Sequence, residues 1–188
     1  FIHCTASPEG HDYTSQQIAG WWKGRGWTNP GYHYVIHLDG RIEQLLAVQY
    51  VSNGVKGYNH ESINIAYIGG TRMAPAMKNG QPLLNADGGQ MRTPVPADTR
   101  TDAQKAALRN LVDQLHQQYA SGQWGNAPCT LQQARQHLLV RGHYEVAAKA
   151  CPCFDVKTDP SLALPYGGGG SVAQGGVFET NIEIEKWI

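Results

Sequence analysis

The chain has 188 residues, 41% of them hydrophobic, and fifteen Lys and Arg balance fifteen Asp and Glu; this is enough for one good core and too short for two full domains. A net charge of zero excludes recognition of nucleic acid or of an anionic membrane by bulk electrostatics. No apolar run approaches the roughly 20 residues of a membrane-crossing helix, so the sequence predicts a soluble, monomeric protein without membrane insertion.

The chain opens at Phe1 without an initiator methionine, inside what reads as a strand, which predicts that sequence precedes it. Residues 1–5, Phe-Ile-His-Cys-Thr, read as the end of a buried strand, followed by a loop with Pro8, Gly10 and Asp12. Thr14 or Ser15 caps a helix with Ile18, Trp21 and Trp22 on one side, and Gly24 and Gly26 end it. From Tyr32, alternating residues around Asp39-Gly40 predict a β-hairpin with a two-residue turn. Residues 63–68, Ile-Asn-Ile-Ala-Tyr-Ile, form a further strand closed by Gly69 and Gly70. Thr101 and Gln104 make a capping box for a helix whose stripe is Leu108, Leu111, Val112, Leu115 and Tyr119. His137 to Val140 suggest a short strand leading to Gly-His-Tyr-Glu. The alternation of strands and helices reads as α/β.

Two stretches lie outside a compact core. Residues 71–100, with Pro75, Pro82, Pro94 and Pro96, form a long excursion that either walls a substrate cleft or decorates the surface. After Pro160 the glycine run Gly167 to Gly170 reads as a flexible linker. The domains are therefore 1–160, a catalytic unit, and 161–188, a Gly-rich linker and C-terminal tail. The alternating residues 177–188 are open to three readings: a docking tail, a truncated second module or an appended remnant.

The four cysteines, Cys4, Cys129, Cys151 and Cys153, are too few and too unevenly spaced for a disulfide framework, which leaves metal binding or burial. His143 and Cys151, eight residues apart, are both of types that bind zinc. His3, at the C-terminal end of the first strand, can supply a third ligand. Two neutral imidazoles and one thiolate leave zinc with a charge of about +1 and an open position, where a water would reach a pKa of roughly 7. That set suits one catalytic Zn2+. Lys149, two residues before Cys151, would share its face in an extended segment and could stabilise an oxyanion. Tyr32, entering the hairpin, is a phenol placed to hydrogen-bond the water or the developing charge.

Four strings carry a resemblance: Phe-Ile-His-Cys-Thr-Ala-Ser, Pro-Gly-Tyr-His-Tyr-Val-Ile, Lys-Gly-Tyr-Asn-His-Glu-Ser-Ile and Gly-His-Tyr-Glu-Val-Ala-Ala-Lys-Ala-Cys-Pro. In order and approximate spacing, over about residues 1–158, the chain resembles bacteriophage amidase-type lysozymes, type 2 N-acetylmuramoyl-L-alanine amidases related to peptidoglycan recognition proteins. The resemblance implies a single mixed central β-sheet flanked by helices. It further implies zinc at His3, His143 and Cys151, catalytic roles for Tyr32 and Lys149, and peptidoglycan as partner. The action is expected at the bacterial cell wall, from a phage lysin made in the host cytoplasm or from a secreted or periplasmic enzyme. Two rivals remain: a recognition module that binds peptidoglycan without cutting it, and an amidase for soluble anhydro-muropeptides.

The remaining metal-capable residues have plainer readings. Cys4 follows a ligand along a strand and points to the opposite face to pack. Cys153 is a free thiol, since a fourth protein ligand would close a catalytic zinc site. His33 serves packing or ligand support, and His37 is structural. His60 lies either in the cleft or on a surface loop, and His11, His116 and His137 are surface or structural. Glu145 either orients His143 or is simply exposed.

Overall fold

The computed structural model describes residues 1–162; the expected linker and tail lie almost wholly outside the described residues. The chain runs through β1 (Ile2–Cys4), β2 (Ser7–Pro8), α1 (Ser15–Lys23), β3 (Tyr34–Ile36), β4 (Ile42–Gln44) and β5 (Ile65–Tyr67). It continues through β6 (Gly70–Pro75), β7 (Met77–Lys78), β8 (Gln81–Pro82), β9 (Arg92–Pro96), α2 (Asp102–Ala120) and α3 (Leu131–His137). The mixed central sheet has the order β1-β5-β3-β4, with β1, β5 and β3 parallel and β4 antiparallel. No helix of the described residues is long and apolar enough to cross a membrane.

Strand alternation sorts the side chains. Ile2, Cys4, Tyr34, Ile36, Ile65 and Tyr67 form one core cluster with Leu108, Leu111, Val112 and Leu115 of α2. The intervening His3, Ala66 and Val35 stand in register across β1, β5 and β3 and face the other way. On that second face α1 packs Ile18 and Trp22 against Val35 and Ile68. All of His3's immediate ladder is therefore buried, and the histidine itself is 1% exposed.

The expected helix starts are present. Thr14 caps α1 with Gln17, and Thr101 caps α2 with Gln104, each as a reciprocal capping box. Gln104 does more than cap. Its Oε1 accepts from Thr101 N–H at 3.0 Å, while Nε2 donates to the carbonyls of Ile36 (3.1 Å) and Ile68 (2.9 Å). One fully buried carboxamide thus binds the start of α2 to the ends of two strands.

Four expectations are corrected. The hairpin turn has three residues, Leu38 to Gly40: His37 N–H donates to the Arg41 carbonyl and Gly40 N–H to the His37 carbonyl, both at 2.9 Å. Gly40 takes φ +86°, and a Cβ there would lie 2.9 Å from the Ala103 carbonyl oxygen, so both conformation and contact require glycine. The short strand at 137–140 is absent; residues 131–137 are α3, capped by Thr130 with Gln133, and pairing to β1 is confined to a bridge between Ile2 and Gly142. Gly70 opens β6 instead of closing the strand before it. The 71–100 excursion is itself folded: β6 pairs with β9 and β2 in a second sheet, and β7 with β8 in a third.

Removing the Gln104 carboxamide takes the side-chain donor from the buried Ile68 carbonyl, at a cost of about 1–3 kcal/mol, and one of two donors from the Ile36 carbonyl, which still accepts from Ile68 N–H at 3.0 Å, while the capping box at Thr101 is lost as well. Gln104→Ala is expected to lower stability by about 2–4 kcal/mol in urea unfolding, well beyond the loss of a cap alone. An unchanged midpoint would contradict this role.

Candidate metal centre

A histidine becomes a metal ligand when one ring nitrogen carries no proton and faces the site. For His3, Nε2 lies 2.8 Å from Asn64 Oδ1. The other end of the Asn64 carboxamide faces two hydroxyls, its Nδ2 donating to Ser52 Oγ (2.7 Å) and Ser62 Oγ (3.2 Å). With the oxygen facing His3, Nε2 carries the hydrogen, and Nδ1 is left bare. Asn64 is held in turn by its backbone N–H, which donates to His33 Nδ1 at 3.0 Å, while His33 Nε2 donates to the Tyr50 carbonyl at 3.0 Å. His33 thus supports the residue that supports the ligand.

The other two members come from the far end of the chain. Ile2 N–H donates to the Arg141 carbonyl at 2.8 Å, which sets the following turn, His143 to Glu145, beside β1. The His3 and His143 rings stand 4.7 Å apart at 68°. Tyr144 N–H closes the segment onto the Cys151 carbonyl at 2.8 Å. Cys151 Sγ accepts from Cys4 N–H at 3.2 Å and lies 3.7 Å from His3 Nδ1. The ligand atoms of His3, His143 and Cys151, all buried, fall within 4.8 Å of one another, so these residues could hold a metal ion. The donor set fits: tetrahedral nitrogen and sulfur ligands at zinc bond lengths stand roughly 3.3–3.8 Å apart.

The surroundings keep both imidazoles neutral, as ligation requires. Burial pushes the His3 pKa well below its ordinary value, and the neighbouring His143 charge adds to that. His143 is pushed down to about 4, first by burial and then by the positive charge of Lys149. Burial also raises the Tyr32 phenol far above its usual range, with Cys151 and Cys4 adding to the effect, so it remains a protonated donor. Tyr32 lies 5.3 Å from His3, ring to ring, and its hydroxyl reaches the Cys4 carbonyl at 3.5 Å.

Of the five sequence-derived site residues, His3, His143 and Cys151 cluster, Tyr32 stands beside His3, and Lys149 is felt there through its charge. Lys149 is half-buried in a turn, not in an extended segment, and its charge is nonetheless felt by both histidines. Glu145 neither orients His143 nor lies open to water: its side chain is 5% exposed, accepts from Gly142 N–H at 2.9 Å and pairs with Lys157 at 2.9 Å. Cys153 stands outside the cluster, 3.7 Å from Cys4 Sγ and donating to the Gly70 carbonyl at 3.3 Å. Asn64 is the site residue missed in the sequence. Its signal was a carboxamide inside an otherwise apolar strand, where a buried polar group needs partners.

Comparison with known proteins gives a consistent result. The family model described as N-acetylmuramoyl-L-alanine amidase matches residues 1–161. The endolysin of Klebsiella phage KP32 is 31% identical over 157 residues, 84% of this chain and 81% of that one. The endolysin of Escherichia phage T7 is likewise 31% identical, with the same coverage. Among solved structures, the Ph2119 endolysin from the Thermus scotoductus MAT2119 bacteriophage Ph2119 shares the fold at TM-score 0.51 and 23% identity, covering 82% of this chain and 75% of that one. Bumblebee PGRP-SA shares it at TM-score 0.52 and 19% identity, with 86% and 77% covered.

Two outcomes follow from the hydrogen bonds and the buried imidazoles. Asn64→Ala frees the His3 ring and is expected to weaken metal affinity about 10- to 100-fold in competition with a chromophoric chelator. Unfolded His143 takes its proton near 6.5 and the folded residue only near 4, so between these values the unfolded state binds more protons and stability falls as pH drops. For His143 alone, chelator-treated protein is expected to be about 2 kcal/mol less stable at pH 5 than at pH 7 in urea titrations. A His143→Gln variant should lose that part of the slope.

Proposed function

Because the chain belongs to the N-acetylmuramoyl-L-alanine amidase family, we propose that it uses one zinc ion, held by His3, His143 and Cys151, to cut peptidoglycan between the lactyl group of N-acetylmuramic acid and the first L-alanine of the stem. The observation that carries the zinc assignment is the bare His3 Nδ1, 3.7 Å from the Cys151 sulfur and fixed by Asn64. Residues 1–160 form the catalytic unit, and the setting that suits it is breakdown of the bacterial cell wall.

When bound, zinc supplies Lewis acidity, making a water acidic enough to lose its proton near neutral pH and polarising the amide carbonyl. The protein atoms supply the rest. Two neutral imidazoles and one thiolate leave a net positive centre, which a second thiolate would cancel, and Cys153 is turned away toward Gly70. Cys4 N–H donates to Cys151 Sγ and holds that sulfur beside His3 Nδ1. Tyr32, held protonated by burial, is a hydrogen-bond donor for the attacking oxygen or for the amide oxygen as charge develops there. Lys149, whose positive charge reaches His3 and His143, stabilises that developing charge. A metal-free recognition module would gain nothing from keeping these five groups together.

The test is digestion of purified sacculi with mass analysis of the fragments. Zinc-loaded protein is expected to release stem peptides and leave glycan chains intact, a chelator to stop it, and added zinc to restore it. Cys151→Ser should lose both metal and activity. Lys149→Ala should retain zinc and lose roughly 100- to 1000-fold in turnover. Intact sacculi would sink the amidase assignment, and native turnover by Lys149→Ala would sink the role of that lysine.

A further inference from the structure

Away from the metal centre an open groove of about 560 Å³ runs between residues 48–51, the turn at 59–63 and the C-terminal end of α2. None of His3, His143, Cys151, Tyr32 or Lys149 lines it. Its walls combine the rings of Tyr50, Tyr119 and Trp124 with the carboxamides of Gln49, Asn59 and Gln123. Trp124 stands edge-on to Tyr119, with centroids 5.9 Å apart at 72°. Tyr50 is 59% exposed, so its ring is available to a ligand. No lysine or arginine lines the groove, and its one carboxylate is Glu61.

We propose that this groove is a second saccharide-binding site, taking the N-acetylhexosamine backbone of a peptidoglycan glycan strand. A pyranose presents apolar C–H faces that pack on aromatic rings, and a rim of hydroxyl and acetamido groups that pair with carboxamides, which both donate and accept. The lining matches both requirements. An anionic ligand such as a nucleotide or phospholipid headgroup would find no lysine or arginine there, only the imidazole of His60, and would face Glu61.

The groove is tied to the metal centre by hydrogen bonds through residues 50–64. Ser62 lines the groove and accepts from Asn64, the residue that orients His3; Tyr50 lines it too, and its carbonyl accepts from His33, which holds Asn64. A strand presenting one lactyl amide to the metal carries further sugar units that extend along the surface. The groove gives such units a hold that a soluble, single-sugar muramoyl peptide lacks. The polymer's identity rests on the amidase reading; the saccharide chemistry rests on the lining alone.

The test uses an N-acetylglucosamine tetrasaccharide, which has no stem peptide and so no bond for the metal centre to cut. Titrated into the zinc-loaded chain, it is expected to shift the backbone amides of residues 48–51 and 59–63 and the Trp124 indole in a saturable way. Tyr50→Ala and Gln123→Ala, both at exposed positions, should each weaken binding roughly fivefold, about 1 kcal/mol, whereas Cys151→Ser should bind as the parent does. On sacculi, Gln123→Ala should raise KM and leave kcat on a soluble muramoyl peptide unchanged. No saturable shift up to about 10 mM tetrasaccharide, shifts centred on His3 and His143, or native affinity in Tyr50→Ala would each overturn the proposal. Tetrasaccharide binding with sacculi left uncut would support the groove while removing the amidase reading, so the two failures are distinguishable.

Discussion

Everything at this site depends on keeping one nitrogen of a buried imidazole bare. A carboxamide is suited to that task because its two ends differ, and Asn64 has its donor end already committed to Ser52 and Ser62. Only its oxygen is left for His3, which fixes the tautomer without adding a charge. A carboxylate in the same place would also orient the ring, but its negative charge would favour protonated imidazoles and alter the charge of the whole centre. The neutral partner leaves net charge to the metal ligands and to Lys149.

Burial then does two jobs at once. It disfavours charge on His3 and His143, which keeps them ready as ligands, and it disfavours ionisation of Tyr32, which keeps the phenol a donor. A more open site would satisfy neither condition near neutral pH. Desolvation has a cost, met by hydrogen bonds with atoms of the core: His3 Nε2–H to Asn64 Oδ1, and the Cys4 amide to Cys151. Cys4 therefore serves both faces of its strand, with its side chain in the α2 core and its amide turned to the thiol ligand.

The parts legible in the sequence were those specified locally. Capping boxes at Thr14 and Thr101, the strand alternation and the His143 to Cys151 segment lie within short windows. Helix α3 carries the same Thr-x-x-Gln signal at Thr130 and was still missed, because its seven residues bury only Ala134 and show no apolar stripe. The hairpin was legible, while its turn length was not, since Gly40 also answers to Ala103, 63 residues away. Asn64 and Glu145 show the same limit from opposite sides: one looked ordinary and orients the key ligand, the other looked like an orienting carboxylate and fastens a turn. Which polar groups pair across 61 or more residues is decided by strand register, and no local window contains it.

That separation bears on how metal and fold are coupled. His3 lies near one end of the described chain and Cys151 near the other, so bringing them together closes a loop of nearly the whole domain, a cost that grows only slowly with length. The closure is made by protein atoms: Ile2 to Arg141, Cys4 to Cys151, and the Tyr67 hydroxyl to the Pro152 carbonyl at 2.7 Å. Around these ties lies a core in which Ile2, Cys4 and Tyr67 pack with Cys151 and Val156. The metal site is therefore assembled by the same contacts that assemble the domain. The proposed ion would add, by mass action on the native form, to a domain whose two ends are tied by protein contacts. The residues that close the chain are the ones that aim the ligands, so a mutation in this seam acts on stability and on metal affinity together, while one at Lys149 or Tyr50 separates them.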